Sequence, residues 1–96
     1  MSSLATGPVA TEIATRLASA LDPTHLEIVN DSGQHAGHMG DDGTGESHFT
    51  VIVESRAFEG QSRVQRQRLV NQALAELLRD RIHALAIRAR APGEAA

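Results

Sequence analysis

The sequence predicts a small α+β domain in the order helix, strand, strand, helix, strand, with a three-stranded mixed sheet and both helices on one face. Three patterns carry that expectation. Val9, Ile13, Leu17 and Leu21 recur every four residues, the spacing of one helical face. His48–Val53 alternates, with Phe49, Val51 and Val53 on one side, the period of a half-buried strand. Helical spacing then returns through Val70, Ala73, Leu74, Leu77 and Leu78 before Arg81–Arg90 alternates again. At 96 residues the chain is one domain with a modest core.

Taken in order, residues 1–7 read as a loose, flexible start, and the domain proper as 8–91. Thr6 or Gly7 caps the first helix, and Pro8 suits its first turn. Asp22-Pro23 ends it, because the residue before proline avoids the helical region. HLEIVN, His25–Asn30, follows as a strand with Leu26 and Ile28 on one face. The second strand places His48 and Thr50 on its outer side, so His48, like His25, reads as a surface residue. Glu54–Gly60 turns. Ser62 caps the second helix, whose apolar face Leu69 and Val64 extend toward the first turn. That helix ends near Arg79-Asp80, and the third strand sets His83, Leu85 and Ile87 on one side. Residues 92–96 form a flexible tail. The first two strands pair antiparallel; the helical crossover makes the third parallel to the second, by a right-handed connection.

Asp31–Glu46, DSGQHAGHMGDDGTGE, stands out as a long loop. It holds five glycines, His35 and His38, and nothing apolar larger than Met39. Hairpin loops are usually a few residues long, and one beyond about 12–15 is functional or disordered. It is the first place to look for chemistry.

Composition excludes several classes. With no cysteine, the chain has no disulfide framework, thiol nucleophile or all-cysteine metal site of its own. Phe49 and Phe58 are the only aromatics, too few for a base-stacking platform. No apolar run approaches the ~20 residues of a membrane span, and the opening residues lack a charged-then-apolar signal pattern. The expectation is a cytoplasmic protein, monomeric alone and without membrane contact. Net charge is −3, but unevenly spread: through Glu54 there are eight acids and only Arg16, and from Ser55 onward eight arginines and four acids. Such a chain presents one acidic and one basic surface.

Apparent motifs fail on context. Gly37-His38-Met39-Gly40 and Gly40-Asp41-Asp42-Gly43 spell G-x-x-G, but between strands and beside acids that repel phosphate. Asp41 and Asp42 lack calcium-loop spacing. Ser47 and His48 are strand neighbours expected to point to opposite faces, which leaves no triad. With no catalytic constellation, the chain is expected not to be an enzyme.

Four segments in order, Gly45-Glu46-Ser47-His48-Phe49, Phe58-Glu59-Gly60-Gln61-Ser62-Arg63-Val64, Arg66-Gln67-Arg68-Leu69-Val70 and Ile82-His83-Ala84-Leu85, fall on the predicted strand, turn, helix and strand. Together they resemble the BolA family over nearly the whole chain. The resemblance implies a K-homology-like fold and a heterodimer with a monothiol glutaredoxin carrying a Cys-Gly-Phe-Ser motif. It further implies a 2Fe–2S cluster shared between the two, and a role in iron–sulfur assembly, trafficking or iron sensing. It places His83 on the iron, with a loop histidine as second ligand. His35 matches the loop position best and His38 competes, since Gly33 stands where relatives often carry another histidine.

Elementary chemistry agrees with that implication. An iron–sulfur cluster needs four ligands, and a chain without thiolates cannot hold one alone. Two imidazoles here, with two thiolates from a glutaredoxin and its glutathione, complete the set. The competing reading is a DNA-binding transcriptional regulator. Arg56, Arg63, Arg66 and Arg68 cluster at the start of the second helix, with Arg79 and Arg81 at its end. A net charge of −3 disfavours phosphate binding, and the same arginines suit an acidic protein partner.

Overall fold

The structure is a computed structural model that describes residues 3–31 and 47–94. Gly7, with φ of 118°, turns the chain into helix α1 (Pro8–Leu21). Such a positive φ is open to glycine because no Cβ meets the following carbonyl. The Gly7 carbonyl accepts from both the Thr11 amide and the Thr11 hydroxyl, at 2.9 and 2.8 Å. Val9, Ala10, Ile13, Leu17 and Leu21 are buried, as their spacing predicts. Asp22 adopts the left-handed conformation at φ 45° and donates its amide to Ala18, so the helix ends where Pro23 requires it.

The sheet has the order β1-β2-β3-β4. Strand β2 (His25–Asn30) runs antiparallel to β3 (His48–Glu54), in register from His25 opposite Glu54 to Asn30 opposite Phe49. Strand β4 (Ala84–Arg90) runs parallel to β3, from His48 opposite Ala84 to Glu54 opposite Arg90. These three strands are the predicted mixed sheet. A two-residue strand, β1 (Ser3–Leu4), adds a parallel edge beside Glu27 and Ile28 of β2. From sequence this segment is expected to be a loose start. A pairing of two residues carries no periodicity to detect, and it is the sheet edge that holds it, with Ala5 donating to Ile28 at 2.9 Å.

Between β3 and β4 the chain must travel back along the sheet, as any parallel pair requires. Ser55 begins the return: its hydroxyl donates to the Leu21 carbonyl and accepts from the Ala57 amide, tying α1 to a 3₁₀ turn at Arg56–Phe58. Phe58 is fully buried. Ser62 then caps α2 (Arg63–Ala73) with a complete capping box. Its hydroxyl accepts from the Gln65 amide, and the Gln65 side chain accepts from the Ser62 amide.

The predicted single helix is two segments, α2 and α3 (Ala75–Asp80), divided at Leu74, whose φ and ψ are −108° and 13°. Leu74 still donates to Val70 and accepts from Leu78, so the ladder bends without stopping. No glycine or proline marks the bend, and Leu74 at its centre is fully buried. Val64, predicted to extend the apolar face, is 57% exposed. It lies six residues before Val70, about 240° around the helix at 3.6 residues per turn, and so faces water.

One core joins these parts. Leu26 and Ile28 of β2 and Phe49, Val51 and Val53 of β3 meet the apolar stripe of α1, with Phe58, Val70, Leu74 and Leu77 from the crossover. Leu85, Ile87 and Ala89 of β4 are packed against it from the edge. Phe58→Ala should cost about 3–5 kcal/mol in urea unfolding, and Ser62→Ala about 1 kcal/mol. Val64→Ala should lie within about 0.5 kcal/mol of the parent, because its side chain is already in water.

Candidate functional site

Strands β3 and β4 begin at the same end of the sheet, and their first residues build the site. The Ser47 carbonyl accepts from the His83 amide at 2.8 Å and from the Ala84 amide at 3.2 Å. This pins the backbone of His83 one residue before β4 begins, while its side chain remains exposed. The expected strand includes His83, whereas β4 begins at Ala84 and leaves His83 at its head.

His48 sits beside it. The two imidazole centroids are 5.2 Å apart with the rings inclined at 51°. His48 is buried at 7% exposure, and its Nδ1 is hydrogen bonded to the Ser47 hydroxyl, 2.8 Å away. Two expectations are corrected here. His48 is not a surface residue: although on the outer side of β3, it is buried, with its ring bonded to Ser47 and lying against that of His83. Nor do Ser47 and His48 point apart: Ser47 precedes the first strand residue, where alternation does not bind it. Sequence put both histidines near the starts of strands expected to pair parallel, but not the register, which sets Ala84 opposite His48 and His83 one residue before it. His25, by contrast, lies at the far end of β2, half-buried with its Nε2 3.1 Å from Glu27.

His35 and His38 lie outside the described residues. The two residues that bracket their segment, Asp31 and Ser47, are both at the site. The Asp31 amide donates to the His48 carbonyl at 2.7 Å, and Thr50 donates its hydroxyl to the Asp31 carboxylate at 2.6 Å. A shallow hollow of about 280 Å³ opens there, lined by Asp31, His48, Ala84 and Ala86 among others.

The donor chemistry fits one side of a shared cluster. An exposed imidazole on a pinned backbone is a competent iron ligand in its neutral form, and a second ring lies alongside. Among the described residues no group of three or more His, Asp or Glu side chains gathers to hold a metal ion. His83 and its neighbour therefore offer at most two of the four ligands a cluster takes.

The arginines divide. Arg56, Arg63 and Arg68 are exposed and make no ion pair among the described residues, whereas Arg66 grips the Glu94 carboxylate with both terminal nitrogens at 2.6 and 2.9 Å. The Ala91 amide also donates to Glu94, at 3.0 Å. Arg63 and Arg66 line one groove with Arg88 and Arg90 of β4; Arg56 and Arg68 lie outside it. Arg90 is bonded to Glu54 at 2.9 Å, and this contact, with a hydroxyl bond from Thr24, holds the Glu54 carboxyl below its usual range. At the far end of the crossover, Arg79 is spent on Asp80.

Comparison with known proteins gives a consistent result. The profile of the BolA-like protein family matches residues 17–94. Human BolA-like protein 1 is 51% identical over 90 residues, covering 94% of this chain and 63% of that protein. An uncharacterized Sinorhizobium protein is 49% identical over 83 residues, covering 85% of this chain and 89% of its own length. Among solved structures, the BolA domain of SufE1 from Arabidopsis thaliana superposes with a TM-score of 0.84 at 41% identity, covering 95% of this chain and all of that one. The chain thus spans just under two thirds of its human relative.

The clasp between Arg66 and Glu94 makes a separate prediction. Charged hydrogen bonds from Arg66, then the Ala91 amide, lower the Glu94 carboxyl from 4.5 to about 2. A carboxyl depressed in the folded state contributes its full stabilisation above its unfolded value and loses it as pH falls through the folded one. The clasp should therefore hold above 4.5 and open on acidification toward 2. In an NMR titration of the Glu94 carboxyl, Arg66→Gln should return the midpoint toward the ordinary value.

Proposed function

The chain belongs to the BolA-like family, and from that membership and the histidine pair at the head of β4 we propose that it is a non-enzymatic adaptor of iron–sulfur cluster assembly, trafficking or iron homeostasis. In this reading it forms a heterodimer with a monothiol glutaredoxin of the Cys-Gly-Phe-Ser type, and the two share a 2Fe–2S cluster. The observation that carries it is His83: an exposed imidazole, fixed through its amide on the Ser47 carbonyl, 5.2 Å from a second imidazole. A bound cluster would supply the redox and transfer chemistry; this chain supplies nitrogen donors and a rigid frame.

His83 provides one donor. The second belongs to His35, His38 or His48. The first two follow from the family resemblance, and the third from proximity. The Ser47 hydroxyl on Nδ1 orients the His48 ring, the kind of supporting contact that fixes a ligand's tautomer. The remaining two positions require thiolates, and a chain without cysteine must take them from the glutaredoxin and its glutathione. Mixed histidine and cysteine ligation raises the reduction potential above that of an all-cysteine cluster.

The DNA-binding alternative rests on the arginines at the start of α2. Arg66 is engaged by Glu94, which leaves Arg56, Arg63 and Arg68 for phosphate. That reading requires duplex affinity that falls steeply with salt and vanishes when these arginines are neutralised.

The test is reconstitution. The purified chain, glutathione-loaded glutaredoxin, iron and sulfide should give the visible spectrum of a 2Fe–2S heterodimer. His83→Ala should abolish or shift that spectrum while leaving the urea midpoint of the free chain nearly unchanged, because the side chain is exposed. Single changes His35→Ala, His38→Ala and His48→Asn should identify the second donor by which one reproduces the His83→Ala spectrum. A spectrum unaltered by His83→Ala would remove the proposal.

A further inference from the structure

Strand β4 is the last in the sheet order, and β3 covers one of its edges. The Ala84 amide donates to Ser47 and the Arg90 carbonyl accepts from Ser55, so the even-numbered residues of β4 turn their backbone groups toward β3. By the alternation of a parallel ladder, Leu85, Ile87 and Ala89 turn their amides and carbonyls the other way. No strand among the described residues pairs with that side. Backbone groups so placed are a ready template for one more strand.

A groove of about 710 Å³ adjoins the second half of β4, lined there by Ile87 and Ala89 and reaching inward to Ile52 of β3 and Glu27 of β2. Four arginines line it, Arg63 and Arg66 from α2 and Arg88 and Arg90 from β4, against two carboxylates, Glu27 and Glu94. The balance is basic in a protein whose net charge is −3. Arg63 and Arg88 make no ion pair among the described residues. Arg66 already holds a carboxylate bidentately, that of Glu94, which reaches the groove from the segment just past β4.

We propose that this groove is a docking site for an extended acidic segment of a partner protein, which adds as a strand along the free edge of β4 and places its carboxylates on the arginines. The bound Glu94 carboxylate is the chain's own occupant of one such position, and the partner displaces it. Main-chain pairing supplies affinity in this mode and side chains at alternate positions supply specificity. Bidentate arginine–carboxylate contacts suit the second task. The lining disfavours the other occupants. A second copy would bring its own β4 arginines against these. Nucleic acid would find no stacking platform, since both phenylalanine rings of the chain are buried at 2% and 0% exposure. The inference is independent of any cluster bound at His83, which lies at the other end of β4.

The experiment titrates the ¹⁵N-labelled full chain at low salt with a capped peptide alternating glutamate and valine. Binding should shift the amides of Leu85, Ile87 and Ala89 and slow their hydrogen exchange. Arg88→Glu and Arg63→Glu, both at exposed positions, should each weaken it about tenfold, and Glu94→Gln should strengthen it several-fold. Equal binding of a lysine–valine peptide, or an affinity unchanged in Arg88→Glu, would overturn the proposal. So would shifts of these amides by a short DNA duplex when the acidic peptide produces none.

Discussion

The parallel pairing of β3 with β4 is the constraint on which the rest of the molecule depends. Seven residues of register, from His48 opposite Ala84 to Glu54 opposite Arg90, require the chain to leave one end of the sheet and re-enter at the other. Everything between them serves that return. Ser55 ties the exit to α1, Phe58 anchors the turn in the core, and the Ser62 capping box starts the helix that carries the chain back. The helix bends at Leu74, itself fully buried, and Leu77 beyond the bend still joins the core. On arrival, the Ser47 carbonyl captures two successive amides, and His83 comes to rest beside His48. The site is thus a consequence of strand register, set by apolar packing remote from it.

Charge follows the same geography. The acidic first half of the chain forms α1, β2 and β3, and the basic second half supplies the crossover and β4. The arginines nevertheless do not act as one patch. Arg66 and Arg90 are joined to carboxylates and stiffen the structure around the groove, while Arg63 and Arg88 remain available. Arg79 pairs with its neighbour at the far end of the crossover, an exposed contact of small energetic weight. A charge run in a sequence therefore resolves, once folded, into structural clasps and free cations that only geometry distinguishes.

Much of this was legible beforehand, for identifiable reasons. The helical stripe of α1, the alternation of β3 and the Ser62 cap are local signals, set by backbone period and hydrogen-bond satisfaction, and they appear where expected. The family resemblance followed from residues at those positions. What sequence reading missed is tertiary. The pairing of Ser3–Leu4 is too short to show a period. Val64 is apolar but lies off the buried stripe, and Leu74 bends a helix built of good helix formers. His48 is the instructive miss. Its place on the outer face of its own strand implies exposure, whereas the fold buries it at 7% exposure and sets the ring of His83, 35 positions later, 5.2 Å away. His35 and His38, named by the family resemblance, belong to a glycine-rich segment outside the described residues.

We propose that strand register presents His83, with one further histidine, as half of a shared cluster site. The most direct measurement is pulsed electron paramagnetic resonance on the reduced cluster of the glutaredoxin heterodimer, assembled with this chain labelled at histidine with ¹⁵N. Hyperfine couplings from two imidazole nitrogens are expected, one of which disappears with His83→Ala. A reduced cluster showing no histidine coupling, or couplings unaltered by that substitution, would contradict it.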